Sequence, residues 1–179
     1  MAKFVLNELH GITHFLFDWG DTLMVDLPNQ TGPMCDWPEV KVVEGALECL
    51  KYLNQDAQCH LATNAQDSTE FQIRQALHKA GLSDYIQHIF CCENLGVGKS
   101  KPDYFHRIIE KLNSPAKQIM MIGDSLEKDI YPGCKAGIKV IWFNPTKKSV
   151  ETVNQSFDLL PFKGMEINSL STLCIGHKA

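Results

Sequence analysis

Apolar positions along the 179-residue chain fall into two alternating textures. Short continuous runs rich in β-branched and aromatic residues are separated by longer stretches in which apolar residues recur every third or fourth position. The first texture fits a strand covered on both faces, the second a helix with one buried face. Strands are expected at residues 13 to 18 (THFLFD), 59 to 64 (CHLATN), 88 to 93 (HIFCCE), 118 to 124 (QIMMIGD) and 139 to 144 (KVIWFN). Strands that alternate with helices predict an α/β fold on a parallel sheet.

The helical stripes can be followed residue by residue. Val43, Leu47, Leu50 and Leu53 make one, and Phe105, Ile108, Ile109 and Leu112 another at i, i+3, i+4, i+7. Asp67 is the expected cap of a third helix, with Glu70 three residues on, Ile73, Leu77 and Ala80 facing inward, and Gly81 as the stop. A fourth, from about Leu126 to Ala136, contains Pro132, which predicts a kink or an early end. Residues 25 to 42 hold three prolines, one glycine and no clean period, so they read as a long loop or small flap of the kind that is often functional. From Lys147 onward the chain is polar, punctuated by Phe157, Leu159, Leu160 and Phe162, and is expected to wrap the domain edge. No internal repeat appears. Residues 1–179 are read as a single domain with the 25–42 flap as an insertion.

Composition narrows the classes. At 44% hydrophobic and 21% charged residues the chain can bury one ordinary core. Seventeen basic against 21 acidic side chains, with no basic run longer than Lys147-Lys148, argue against nucleic-acid binding. No apolar run approaches 18 residues, and Asn7 and Glu8 interrupt the start MAKFVLNELHG, so a soluble, unexported, cytoplasmic protein without membrane contact is expected. The seven cysteines are scattered without a Cys-x-x-Cys and read as reduced core thiols, Cys91 and Cys92 falling on opposite faces of a strand. A zinc site is not expected. The seven histidines, equally scattered, read as structural or surface residues.

Candidate chemistry collects at strand ends. Asp18 ends the first strand, Thr63-Asn64 the second and Asp124-Ser125 the fourth, and ligands of open parallel sheets bind beyond those carboxyl ends. Lys101, before Pro102 at an expected helix start in GKSKPDYF, adds an anion site. Converging carboxylates repel unless a cation joins them, and all-oxygen ligation suits Mg²⁺. A lysine, a hydroxyl and backbone N–H groups around such an ion suit a phosphate. GVGKS (96 to 100) is a decoy, because a nucleotide P-loop requires glycine where Glu93 stands.

Four motifs in order, FDWGDTL, LATNA, SKPD and IGDSLEKDI, make the chain resemble the haloacid dehalogenase-like (HAD) hydrolase superfamily, most nearly its phosphoglycolate-phosphatase-like members, over about residues 12 to 145. The resemblance implies a three-layer Rossmann-like sheet flanked by helices. It also implies a Mg²⁺-dependent phosphatase acting on a small phosphorylated metabolite through an aspartyl-phosphate. Asp18 would be the nucleophile. Thr63, Asn64 and Lys101 would hold the substrate, Thr63 and Lys101 serving catalysis as well. Asp18, the Gly20 carbonyl, Asp124 and Asp129 would hold the metal. Family members often insert a cap domain, but Asp18 to Thr63 spans 45 residues and Asn64 to Lys101 spans 37, which leaves essentially no cap. An open site of that kind suits bulky substrates or a lid from a second copy in a homo-oligomer. Asp36, Trp37 and Glu39 in the flap are candidate specificity contacts, and Trp37 is equally a candidate for pinning the flap to the core.

One departure stands out. Most phosphatases of the resembled family carry a second aspartate two residues after the nucleophile, as general acid and then base, a role worth about 10² to 10⁴ in rate. Here Gly20 occupies that position and Asp21 is displaced by one. Asp21 is a candidate replacement. Competing accounts are a leaving group that needs little protonation, a substrate other than an ordinary phosphate ester (a phosphonate or another C–X bond), and an Asp21 that only satisfies backbone groups of the turn. A slow or non-catalytic phosphate-binding module is the alternative outside enzymes.

Overall fold

The computed structural model describes residues 8–27, 29–149 and 164–174. Its element order is β1 (His14–Phe17), α1 (Ala46–Leu53), β2 (Gln58–Ala62), α2 (Glu70–Lys79), β3 (Ile89–Phe90), α3 (Cys92–Leu95), α4 (Pro102–Leu112), β4 (Ile119–Gly123), a π-helical turn (Leu126–Ile130) running into α5 (Tyr131–Lys135), β5 (Lys139–Phe143) and β6 (Met165–Ile167). The six strands form one parallel sheet in the order β3-β2-β1-β4-β5-β6. From β1 the chain builds outward first through β2 and β3, then on the other side through β4, β5 and β6. The point where the direction switches lies between β1 and β4, where such sheets open a crevice.

Strand alternation sends neighbouring residues to opposite faces, which is why the runs are apolar throughout. Phe15 and Phe17 of β1, Leu61 of β2 and Ile122 of β4 pack with Leu50 and Leu53 of α1 and Ile73 and Leu77 of α2. Leu16, Ala62 and Met121, on the other face, pack with Tyr104, Phe105 and Ile108 of α4. Helices on both faces of the sheet make the three-layer α/β arrangement expected from the sequence. Between β1 and β2 the described chain holds only the flap and α1, and between β2 and α4 only α2, α3 and β3 with their short turns.

Four details differ from the sequence expectations. Asp67 does not cap α2. Thr69 does, accepting the Gln72 N–H while the Gln72 side chain accepts the Thr69 N–H at 2.9 Å, a reciprocal capping box. β3 stops at Phe90 because Cys91 caps α3, so Cys91 and Cys92 do not lie on a strand; all seven thiols are free. Pro132 does not interrupt a long helix but stands in the first turn of α5, where its missing N–H is harmless, and the π-helical turn absorbs the irregularity before it. Finally, the tail contributes β6 beside β5, a strand the sequence reading missed. Phe157, Leu159, Leu160 and Phe162 lie outside the described residues.

The flap is irregular but tied down. Met24 and Val42 bridge its ends and the Val25 N–H donates to the Lys41 carbonyl at 2.7 Å. Trp37 is buried, its indole N–H donating to the Gly32 carbonyl at 3.2 Å, and its own carbonyl accepts the Lys79 ammonium of α2. Trp37 therefore pins the flap to the core. No helix among the described residues is long and apolar enough to cross a membrane.

Candidate active site

The register places the polar residues together. Phe17 pairs with Leu61 on one side and Ile122 on the other, so the next residues of all three strands leave the sheet at one level. The Asp18 N–H still donates to the Ile122 carbonyl, and the Thr63 N–H to that of Phe90, both at 2.9 Å, so the two side chains start from hydrogen-bonded backbone. A cavity of about 380 Å³ opens above them. Asp18, Gly20, Thr63, Asn64, Lys99, Asp124 and Asp129 line it, together with Asp21, Asp26, Met34 and Lys128.

Asp18, Asp124 and Asp129 each offer a carboxylate oxygen within 4.8 Å of the others, which is the grouping expected from the sequence. Asp129 reaches it from the π-helical turn. Its Oδ2 accepts the Ser125 N–H at 3.0 Å, while the Ser125 hydroxyl accepts the Lys128 N–H at 3.2 Å and closes the turn from the other side. Gly123 makes room for this. A Cβ there would lie 2.3 Å from Asp129 Oδ2 and 2.7 Å from its Cβ, inside any tolerable contact.

The lysine that meets these carboxylates is Lys99, not Lys101. Lys99 is buried, its ammonium paired with Asp18, 2.7 Å from Asp129 Oδ1 and donating to the Ala62 carbonyl at 2.7 Å. Its backbone N–H donates to Asn64 Oδ1 at 3.0 Å, which links the two loops. Lys101 is exposed, does not line the cavity and stands as the residue preceding α4, its backbone N–H bonded to the Gly98 carbonyl. Side chains two apart across this turn leave on different courses, and only the earlier lysine meets three oxygens.

Asp21 is exposed and has a left-handed backbone, φ 53°, which aspartate tolerates better than most residues. Its Oδ1 accepts the Asp26 N–H at 3.0 Å, so the carboxylate on the cavity wall is also a brace for the turn. The Thr63 hydroxyl accepts the Ala65 N–H at 3.2 Å and keeps its proton to donate. Asp36, Trp37 and Glu39 do not line the cavity; the flap residues that do are Asp26 and Met34, the latter accepting the Trp19 indole N–H.

Electrostatics of the site are strained without a cation. Burial, together with the Asp18 and Asp21 charges, pushes the Asp124 carboxyl up to about 6 against the pull of Lys99 and Lys148. Burial likewise raises Asp129, with Lys99 working against it. Burial opposes the charge on Lys99, but Asp129 and Asp18 outweigh it and hold the ammonium above its ordinary value.

The haloacid dehalogenase-like hydrolase family matches residues 20–137, more than half of the sequence, and the chain belongs to that family. It is 30% identical over 109 residues to the HAD-hydrolase YfnB of Bacillus subtilis strain 168, covering 60% of this chain and 45% of the relative. It is 31% identical over 101 residues to the pyrimidine 5'-nucleotidase YjjG of Escherichia coli K12, covering 56% of this chain and 44% of that one. It is 29% identical over 135 residues to the ribulose-1,5-bisphosphate 5-phosphatase of Halopiger xanaduensis, covering 75% and 55%. The chain thus spans about half the length of the curated relatives it matches. Among solved structures, a Listeria monocytogenes serotype 4b protein superimposes with a TM-score of 0.77 at 24% identity, over 91% of this chain and 95% of that one. YfnB bound to magnesium gives 0.70 at 19% identity, over 90% and 96%. Both show the same fold.

Proposed function

We propose that the chain is a Mg²⁺-dependent phosphohydrolase that acts on a small phosphorylated metabolite through an aspartyl-phosphate on Asp18. One observation carries the reading: three carboxylates meet, and two of them pair with one buried ammonium. Fully ionised, that set is short of two positive charges, and its donors are all oxygen. Both features fit Mg²⁺, with Asp18, Asp124, Asp129 and the Gly20 carbonyl as the candidate holders. When bound, the ion would offset charge on the transferring phosphoryl group.

The protein's own residues would do the rest. An Asp18 oxygen attacks phosphorus, Lys99 fixes that carboxylate and faces the phosphate charge, and the Thr63 hydroxyl with Asn64 holds the substrate side. Asp129 sets the lysine. The names of the relatives, two of them a nucleotidase and a sugar-phosphate phosphatase, support a phosphate monoester as substrate. The flap is a fixed wall rather than a cap, which leaves room for a bulky substrate or for a lid from a second copy.

The test is phosphate release from p-nitrophenyl phosphate and a metabolite panel, with and without Mg²⁺, beside Asp18→Asn. Release should require both the metal and Asp18. A panel with no such release would leave a phosphate-binding module as the better description.

A further inference from the structure

Gly20 lacks a side chain where an acid is wanted, and the structure brings another carboxylate to that place. The turn after Asp18 is tight. The Leu23 and Met24 N–H groups donate to the Trp19 carbonyl at 3.0 and 2.9 Å, and the Asp21 N–H donates to the Met24 carbonyl at 2.6 Å. Gly20 and Met24 form a bridge, and Asp21 Oδ1 takes the Asp26 N–H. The chain is thereby folded back until residue 26 stands beside residue 20. A Cβ on Gly20 would lie 3.6 Å from Asp26 Oδ2 and 3.8 Å from its Cγ, nearer to Asp26 than to any residue beyond its two chain neighbours. The Asp26 side chain lines the same cavity as Asp18, and no hydrogen bond or ion pair from the described residues engages its carboxylate.

We infer that Asp26 is the general acid and base of this site, and that Asp21 is the positioning residue that holds it there. The inference rests on the proposed phosphohydrolase reading. As the Asp18 oxygen bonds to phosphorus, the bond from phosphorus to the leaving oxygen breaks and that oxygen keeps the electron pair. The carboxylic acid of Asp26 gives it a proton, so the alcohol departs and Asp26 is left ionised. Asp26 then takes a proton from water as the water oxygen bonds to phosphorus. The bond from phosphorus to Asp18 breaks, its electrons return to Asp18, and inorganic phosphate leaves. The net change is one ester and one water to one alcohol and one phosphate.

A proton donor matters in proportion to the basicity of the leaving oxygen. Phenyl phosphate and p-nitrophenyl phosphate have nearly one shape, but only the first leaves as a strongly basic phenoxide. In Asp26→Asn, kcat/KM for phenyl phosphate should fall about 10² to 10⁴-fold, and that for p-nitrophenyl phosphate far less. Gly20→Asp added to Asp26→Asn should recover phenyl phosphate hydrolysis, because position 20 has room for a Cβ. Equal losses on both substrates, or no loss on either, would overturn the role of Asp26 while leaving an Asp18-dependent phosphatase intact. A wild-type chain that hydrolyses neither ester would instead remove the parent reading and this one with it.

Discussion

Two polar clusters around the central strands, each with a buried member, solve the same problem in opposite ways. Toward one end, His14 Nδ1 lies 3.1 Å from His60 Nε2, His14 Nε2 lies 2.8 Å from the Ser114 hydroxyl, and the His60 ring stacks on His88 with centroids 5.2 Å apart. Burial, with His14 and His88 nearby, drives His60 down to about 3, so it stays neutral and needs no counter-charge. Toward the carboxyl end, the carboxylates of Asp18, Asp124 and Asp129 gather beside the Lys99 ammonium, which pairs with Asp18 and Asp129. A buried polar group either surrenders its charge or requires an opposite one, and only the second arrangement calls for a ligand.

The strongest way to test that contrast is to remove the one cation built into the charged cluster. Lys99→Ala leaves Asp129 buried beside Asp18 without its partner. Its kcat/KM should fall by about 10² to 10³, and stability in the absence of metal should shift as well, read by urea unfolding. Lys101→Ala should stay within about 0.5 kcal/mol of the parent in stability and keep its activity. Equal effects of the two substitutions would mean that Lys99 is not the working lysine.

Next in size is Gly123→Ala. The new methyl collides with Asp129 rather than with a flexible surface group. Overpacking of this kind costs about 1–3 kcal/mol, and displacing Asp129 should weaken Mg²⁺ binding in calorimetry more than it lowers the unfolding midpoint. A variant that binds Mg²⁺ like the parent would show that Asp129 is not needed to hold the ion.

These two positions also show how far the sequence could be read. Strand ends were legible, because Asp18, Thr63 and Asp124 each follow a continuous apolar run whose length fixes where the sheet stops. Lys99 was not, since GKSK offers two lysines two apart and nothing in periodicity says which faces inward. The placement of Asp26 beside Gly20 was hidden for a related reason: the backbone bonds that fold residues 20 to 26 back leave no period in the sequence. β6 is three residues with a glutamate in the middle, too short and too mixed to stand out. Asp67 and Thr69 are both capping types with a Glu or Gln three residues on, and the reciprocal bonds form at Thr69 with Gln72.

Metal should separate the clusters by pH. The Asp124 carboxyl is raised to about 6 from 3.8, so its contribution to metal-free stability is complete below about 3.8 and disappears as pH rises through 6. Mg²⁺ favours the ionised form. Its stabilisation, about 2.7 kcal/mol at a hundredfold excess over Kd, should be full at pH 7.5 and shrink by pH 5. Thermal unfolding with and without Mg²⁺ at both pH values reads this directly. A shift that grows on acidification would contradict carboxylate ligation.

The histidine cluster should respond to pH with the opposite sign. His60 is lowered from 6.5 to about 3, so its stabilising neutrality is present above 6.5 and is lost as pH falls toward 3, at a limit of about 1.4 kcal/mol per pH unit. Between pH 6 and 4 the metal-free protein therefore carries opposing slopes, Asp124 and Asp129 gaining stability on acidification and His60 losing it. His60→Phe removes only the last. Whatever its absolute stability, the variant's urea midpoint should decline less on acidification than the parent's, or rise. If both proteins follow one slope, the histidines carry no net protonation change on unfolding, and the neutral cluster is less sheltered from solvent protons than the burial of His60 implies.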